Sequence, residues 1–402
     1  MSVGALAPFG RGVNAPLAGR TILQIVPPVD AGGDERATLA VTAALAETGA
    51  RPLVASDSGE MAGELQAIGG LFVNFPAAAK NPLAMTLNAR RLQRIIASER
   101  VDLVHVRSRW AAWAAAKACG KAKRPLVTSL QGDGGRSPPR TSFETAVAAG
   151  DLVIGASEYA VRRAAGLFPA VRLRLRVVRP GMDLTKLQPE RVSARRVADI
   201  REAWGVAAHE RVVLTPARLA PGRGQATLIE AAALIKAHGL DDVRFVFAGH
   251  VARPAFAREL DALAAKRGVK SMLVRVRAEA DLPAALIAAA VVVFPAADPE
   301  AVTRTSIEAA AMGALTVISD VGPAREIVAA PPYADAEART GWLAEGSNPS
   351  ALAEAIEAAI GLGASAREAV RRRSRAKIAQ AFSLERMTRD TLGVYAEALG
   401  LR

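Results

Sequence analysis

Two carboxylates, Glu300 and Glu308, stand eight residues apart and mark the stretch of this chain best suited to chemistry. Just before them, the apolar run 288–294 ends at Pro295, the pattern of a buried strand that stops at a loop. Glu300 falls in that loop. Thr305 or Ser306 can cap a following helix, and Glu308 lies in its early turns. Met312-Gly313 ends the helix, residues 315–319 read as a second buried strand, and Gly322-Pro323 turns the chain again. The two glutamates thus flank a helix N-terminus at the carboxyl end of a strand, the side on which open α/β sheets bind ligands. Unpaired N–H groups and a partial positive charge at such a terminus suit a phosphate. A carboxylate beside it can accept hydrogen bonds from vicinal hydroxyls. Together these groups suit a nucleotide-sugar, although the spacing alone also describes a strand, a loop and a helix with two solvated glutamates.

The elements that must position these groups alternate along the chain. Residues 20–26 read as a strand closed by Pro27-Pro28, and Gly32-Gly33 opens an Ala/Leu-rich helix that runs to Thr48. Strands at 52–56, 71–74 and 101–106 follow, separated by helices at 61–68 and 82–99. That alternation predicts a parallel sheet covered on both faces. His105 lies inside the third of these strands and reads as a buried core histidine. Arg107 and Arg109 follow it and would either contact an acidic ligand or cap the sheet edge. A strand at 125–130 leads into Gln131 and a Gly-rich loop, and a strand at 151–156 leads into Ser157-Glu158, a helix start. Residues 171–179 alternate Arg with Val and Leu, as a half-exposed strand would. Residues 184–210 are polar and Arg-rich, a linker with a helix ending at Trp204-Gly205. A second strand series begins at 211–216. It runs into a Gly/Pro loop carrying Arg218 and Arg223, and continues with strands at 243–248 and 273–276 and a helix opened by Asp281.

The chain has 402 residues, and single cores stop growing near ~250–300 residues. Two domains of roughly 180–200 residues each are therefore expected. An apolar content of 51% predicts a well-buried interior. The lone cysteine, Cys119, excludes an intrachain disulfide and fits a reducing compartment. Residues 1–20 have no apolar segment like that of a signal peptide and read as a loose arm. The longest uncharged run, 282–297, contains Pro283 and Pro295 and falls short of the ~20 residues that a spanning helix needs. A soluble, cytoplasmic chain is expected. The net charge of +13 suits nucleic acid, an anionic membrane surface or phosphorylated ligands. With 4% aromatics, the chain lacks the stacking platforms of a single-strand reader, so no nucleic acid is expected. No P-loop, G-x-S-x-G elbow, H-E-x-x-H helix or cysteine cluster occurs. Asp298-Pro299-Glu300 is a weak metal set, so neither a metal nor a cofactor is expected.

Residues 297–328 resemble the E-x7-E segment of retaining, family-4 glycosyltransferases with the GT-B fold. Glu300 and Glu308 take the two glutamate places, residues 309–313 match the small-residue helix ending in Met-Gly, and Glu326 takes the acidic place of the Gly-Gly-x-x-Glu turn. Residues 217–224 resemble the family's G-R-L-x-x-x-K-G loop, with Arg218 in the first cationic position and Arg223 in place of Lys. The resemblance runs from about Thr21 to Tyr395. It implies two Rossmann-like domains whose parallel sheets face each other across a cleft. The acceptor domain would be 21–187, completed by 384–402, and the donor domain 188–383. It implies that Glu308 holds the ribose hydroxyls, that Glu300 holds the sugar hydroxyls, and that Arg218 and Arg223 neutralise the departing diphosphate. Thr303, Arg304, Gly322 and Glu326 would line the donor. Gly32, Gly33, Arg107, Arg109 and Gln131 would face a glycan or lipid-linked acceptor. The implied reaction is retaining, metal-independent transfer from a nucleotide-sugar in cell-surface polysaccharide or lipopolysaccharide synthesis. The basic run of Arg371, Arg372, Arg373, Arg375 and Lys377 would then be either a solvated face or a contact with the anionic inner face of the cytoplasmic membrane. Three residues depart from the family pattern: Gln131 for His, Thr303 for Gly, and Pro323 for Gly. They leave open an alternative, a weakly catalytic glycosyltransferase-like subunit that binds a nucleotide or a partner enzyme.

Overall fold

The computed structural model describes residues 16–26, 33–57, 62–78, 81–130, 147–277, 280–299, 302 and 304–401, with side chains for all of these except 33–35, Pro82 and Arg109. The described residues form two compact units. One runs to Gly181 and resumes at Leu384; the other is Met182–Ser383. The break falls between Gly181 and Met182, ahead of the 187/188 boundary expected from the sequence.

The first unit holds a seven-stranded sheet of β1 (Thr21–Ile25), β2 (Arg51–Ser56), β3 (Leu71–Asn74), β4 (Leu103–Val106), β5 (Leu126–Ser129), β6 (Leu152–Gly155) and β7 (Leu175–Val177). Its order is β3-β2-β1-β4-β5-β6-β7, with every neighbouring pair parallel. Side chains alternate across a strand, and β1 shows the consequence. Leu23 and Ile25 join the core under helices Pro82–Ser98 and Arg109–Ala122, while Ile22 joins the opposite core with Val41, Leu45, Met387 and Tyr395. The last two belong to the helix Leu384–Ala398, which therefore completes this unit.

The second unit holds a six-stranded parallel sheet of β8 (Arg211–Thr215), β9 (Val243–Ala248), β10 (Leu273–Val276), β11 (Val291–Phe294), β12 (Thr316–Ser319) and β13 (Trp342–Ala344), in the order β10-β9-β8-β11-β12-β13. Val213, Val291, Val293 and Val317 pack under helices Gln225–Ala237 and Pro349–Ile360. Leu214, Val292, Phe294 and Ile318 pack on the other face with helices Leu282–Ala288 and Arg304–Ala311. Near-continuous Val/Ile/Leu runs are what such doubly covered strands require. Leu214 is level with Val292, and Phe294 with Ile318, so the loops leaving β8, β11 and β12 start from one edge.

Two sequence expectations need correction. The arm read over residues 1–20 does not reach Gly19: Leu17 is 1% exposed in the core, and Gly19 N–H donates to Gly49 O, so apolar burial anchors this turn. Residues 1–15 lie outside the described residues. The strand read at 171–179 is instead a 3₁₀ turn, Pro169–Arg174, followed by the three residues of β7. Pro169 sets a helical φ at the first position of that turn, so the alternation of Arg with Leu there was not a strand period.

Candidate functional site

In each sheet the strand order reverses beside the first strand of the series, between β1 and β4 and between β8 and β11. Ligands of open α/β sheets bind at such switch points, outside the carboxyl ends of the strands. In the second unit the loops there are stitched together by glycines. Gly222 O accepts from Ala297 N–H (3.1 Å) and Asp298 N–H (3.2 Å), tying the loop after β8 to the loop after β11. Gly224 has φ +80°, and a Cβ there would lie 1.5 Å from Pro295 O. Gly322, at φ +59°, leads the chain off β12, and a Cβ there would lie 2.9 Å from Pro299 O. Any other residue at Gly224 would force the two loops apart.

Arg218 and Arg223 occupy the first of these loops. Arg218 is exposed, and its carbonyl accepts from Gln225 Nε2 (3.0 Å). Arg223 is half-buried. Gln225, the first residue of the next helix, is fully buried, and so is Thr215 at the end of β8. Gln225 Oε1 and Thr215 Oγ1 have no hydrogen-bond partner among the described residues.

The helix Arg304–Ala311 follows the loop after β11. Arg304 is already helical, so Thr305 and Ser306 lie within its first turn and do not cap it. Arg304 Nε donates to Glu308 Oε1 at 2.9 Å, a pair one helical turn apart. The Glu308 carboxylate is therefore largely covered and held in one orientation, with Oε1 already engaged by a guanidinium. Its helix is small for a packing reason. Ala309, Ala310 and Ala311 are buried, and Ser374 Oγ of helix Ala364–Phe382 donates to Ala310 O (3.2 Å).

Off β12 stands a cluster that sequence reasoning missed. Arg325 donates through Nε and Nη2 to both oxygens of Asp320 (2.7 and 2.8 Å) and lies 3.7 Å from the ring centre of Tyr333, whose hydroxyl donates to Asp320 (3.1 Å). These groups hold the turn that carries Gly322 and Glu326, the latter inside the short helix Ala324–Ile327. No local pattern announces a contact between residues 13 apart across a loop.

In the first unit, Arg107 follows β4 and its Nη2 donates to Gln24 Oε1 (3.4 Å); Gln24 Nε2 donates in turn to Thr42 Oγ1 (3.0 Å). His105 is the core histidine that its strand position suggested. It is fully buried, with Nδ1 2.6 Å from Tyr395 Oη and Nε2 2.9 Å from Ser129 Oγ. Burial, and then the Arg107 guanidinium, hold its imidazole well below the usual range, so the ring is neutral.

Of the residues singled out from sequence, the second unit thus brings Arg218, Arg223, Arg304, Glu308, Gly322 and Glu326 to the loops and helix starts at one edge of its sheet. Arg107 stands at the corresponding edge of the first unit, Gly33 starts helix Gly33–Glu47, and Arg109 starts helix Arg109–Ala122. Gly32, Gln131, Glu300 and Thr303 lie outside the described residues. Among the described residues, no group of three or more His, Cys, Asp or Glu is placed to hold a metal ion.

Two Rossmann-like units of parallel strands define the class, the GT-B fold of glycosyltransferases. A crystal structure of a glycosyltransferase from Rickettsia africae superposes with a TM-score of 0.80 at 25% identity, over 95% of this chain and 99% of that one. Anabaena Alr3699/HepE in complex with UDP superposes with a TM-score of 0.75 at 20% identity, over 94% and 100%. The family model Glycosyltransferase Family 4 matches residues 31–186, and the model Glycosyl transferases group 1 matches residues 197–377. The chain belongs to this glycosyltransferase family. It is 30% identical over 300 residues to the D-inositol 3-phosphate glycosyltransferase of Mycobacterium tuberculosis, an alignment covering 73% of this chain and 58% of that protein.

Proposed function

We propose that the chain transfers a sugar, with retention, from a nucleotide-sugar to a glycan or lipid-linked acceptor in cell-surface polysaccharide or lipopolysaccharide synthesis. The observation that carries this is the glycine-stitched edge of the second sheet, where the cations of one loop and the helix-borne Glu308 share a single frame. Glu308 accepts from the ribose hydroxyls and Glu300 from the sugar hydroxyls. Arg218 and Arg223 meet the diphosphate, whose charge grows as the bond from the anomeric carbon to the phosphate oxygen breaks. The acceptor hydroxyl forms the new bond to that carbon, and its proton passes to the departing phosphate oxygen. Thr303, Arg304, Gly322 and Glu326 line the donor, while Gly32, Gly33, Arg107, Arg109 and Gln131 serve the acceptor. The UDP complex of the Anabaena relative makes UDP the first nucleotide to try.

Calorimetric titration with UDP-, GDP- and ADP-sugars tests this, beside Glu308→Ala. Saturable binding of one donor is expected, weakened at least tenfold in the variant, since a charge-assisted hydrogen bond contributes about 1.5–3 kcal/mol. Failure of every donor to bind would refute it. One observation favours a second reading, a weakly catalytic nucleotide-binding subunit: Pro323 opens the turn after Gly322 and has no N–H to give a ligand. Donor binding without transfer or donor hydrolysis, across a panel of glycan and lipid-linked acceptors, would establish that reading instead.

A further inference from the structure

The helix Pro82–Ser98 carries no acidic residue over its 17 positions. Its buried face is Met85, Asn88, Ala89, Leu92 and Ile96. At 100° per residue, the opposite stripe of Leu83, Leu87, Arg90, Arg91 and Arg94 spans a roughly 100° arc and about 16 Å of helix length. Leu83 is 71% exposed and Leu87 53%, two of the few large apolar side chains left in water. Arg90, Arg91 and Arg94 are exposed, and among the described residues none of them has a hydrogen-bond or ion-pair partner. The nearest acid along the chain, Glu99, is paired with Arg51.

We propose that this stripe docks the first unit on an anionic lipid surface, with the two leucines entering the acyl boundary and the three arginines meeting lipid phosphates. The proposal does not depend on the donor site. Each half of the stripe excludes another occupant. Phosphates of a nucleic acid would satisfy the arginines but leave two leucines against charge. A protein partner needs about 800 Å² on each side, more than one narrow stripe provides. Interfacial helices combine an apolar edge with Lys/Arg in this way. The helix is already folded and packed on its other face, so docking costs no ordering of its backbone. The basic helix Ala364–Phe382 is a poorer candidate. Arg367 donates to Ile360 O, Arg373 to Arg339 O, and Arg375 is paired with Glu190. Those guanidiniums are engaged within the chain.

Sedimentation of the full chain with vesicles of phosphatidylcholine, alone or mixed with phosphatidylglycerol, tests the assignment. Binding is expected only to the anionic vesicles and is expected to weaken with salt. Arg90→Gln with Arg91→Gln and Arg94→Gln should lower partitioning roughly a hundredfold, from the per-residue attraction of basic groups to an anionic surface. Leu83→Gln with Leu87→Gln should lower it on the order of tenfold while keeping the salt dependence. Because all five side chains are exposed, thermal unfolding should be unchanged in both variants. A Leu87→Trp variant should show a blue-shifted emission relative to wild type only with anionic vesicles. The proposal is overturned if wild type ignores anionic vesicles, if both multiple variants bind like wild type, or if the Leu87→Trp emission does not shift.

Discussion

Gly224→Ala is the substitution whose consequence follows most directly from the geometry of the loops. Gly224 has φ +80°, and its Cβ would stand 1.5 Å from Pro295 O. Two costs add. The left-handed conformation costs a non-glycine residue roughly 1–2 kcal/mol. Moving the Pro295 carbonyl out of the way is a backbone displacement of the kind that costs about 1–3 kcal/mol when a packed region is overfilled. A loss of about 3–4 kcal/mol in a unit of roughly 200 residues lowers the melting temperature by about 10 °C. Gly222→Ala is the matched control. Its φ is +81°, but its Cβ would meet only the Asp298 side chain, Cβ at 3.4 Å and Oδ2 at 3.7 Å. It should therefore carry the conformational cost alone, about 1–2 kcal/mol and a few degrees of melting temperature. Scanning calorimetry of both variants measures the difference. Because Pro295 begins the segment leading to Asp298 and the helix of Glu308, Gly224→Ala should also weaken donor binding at temperatures where the unit remains folded. If the two variants melt together, the contact between the loops after β8 and β11 is not the constraint, and the reasoning fails.

Two further predictions concern the first unit. His105 is held neutral in the fold, below an unfolded value of about 6.5, so below that pH the unfolded chain binds a proton that the folded chain does not. Stability from this group is fully present above pH ~6.5 and falls as pH drops below it, by up to about 1.4 kcal/mol per pH unit; urea unfolding of wild type and His105→Gln from pH 7 to 5 should show that slope only in the wild type. Burial, and then the Asp151 charge, push the Cys119 thiol up to about 12. A thiol reagent at pH 8 should leave the native chain unlabelled and label it rapidly in denaturant; fast native labelling would mean that the helix Arg109–Ala122 opens readily.

The parts of this molecule legible in the sequence are those whose cause is local. Residues 288–294 and 315–319 announce strands because a strand covered on both faces is largely apolar along its length, and β11 and β12 lie within them. Ser157 and Asp281 announce helix starts because each side chain accepts from an N–H three residues on. Other features have causes that are distant. Tyr395 meets His105 from 290 residues away, so a strand histidine gave no sign of its partner. Gly224 is glycine on account of a carbonyl in a different loop, and the sequence shows there only a flexible turn. The same distance bears on the candidate site. Arg218 and Arg223 precede Glu308 by an α-β-α-β-α-β passage, and no spacing rule connects them. Glycines at 222 and 224 let backbone meet backbone across that gap, so that cations from one loop and a carboxylate from the helix after β11 stand on a common edge. A site assembled in this way can tolerate Arg223 in place of Lys, because each side chain reaches outward from a fixed frame. It cannot tolerate a single added methyl at Gly224, because there the frame itself is the contact.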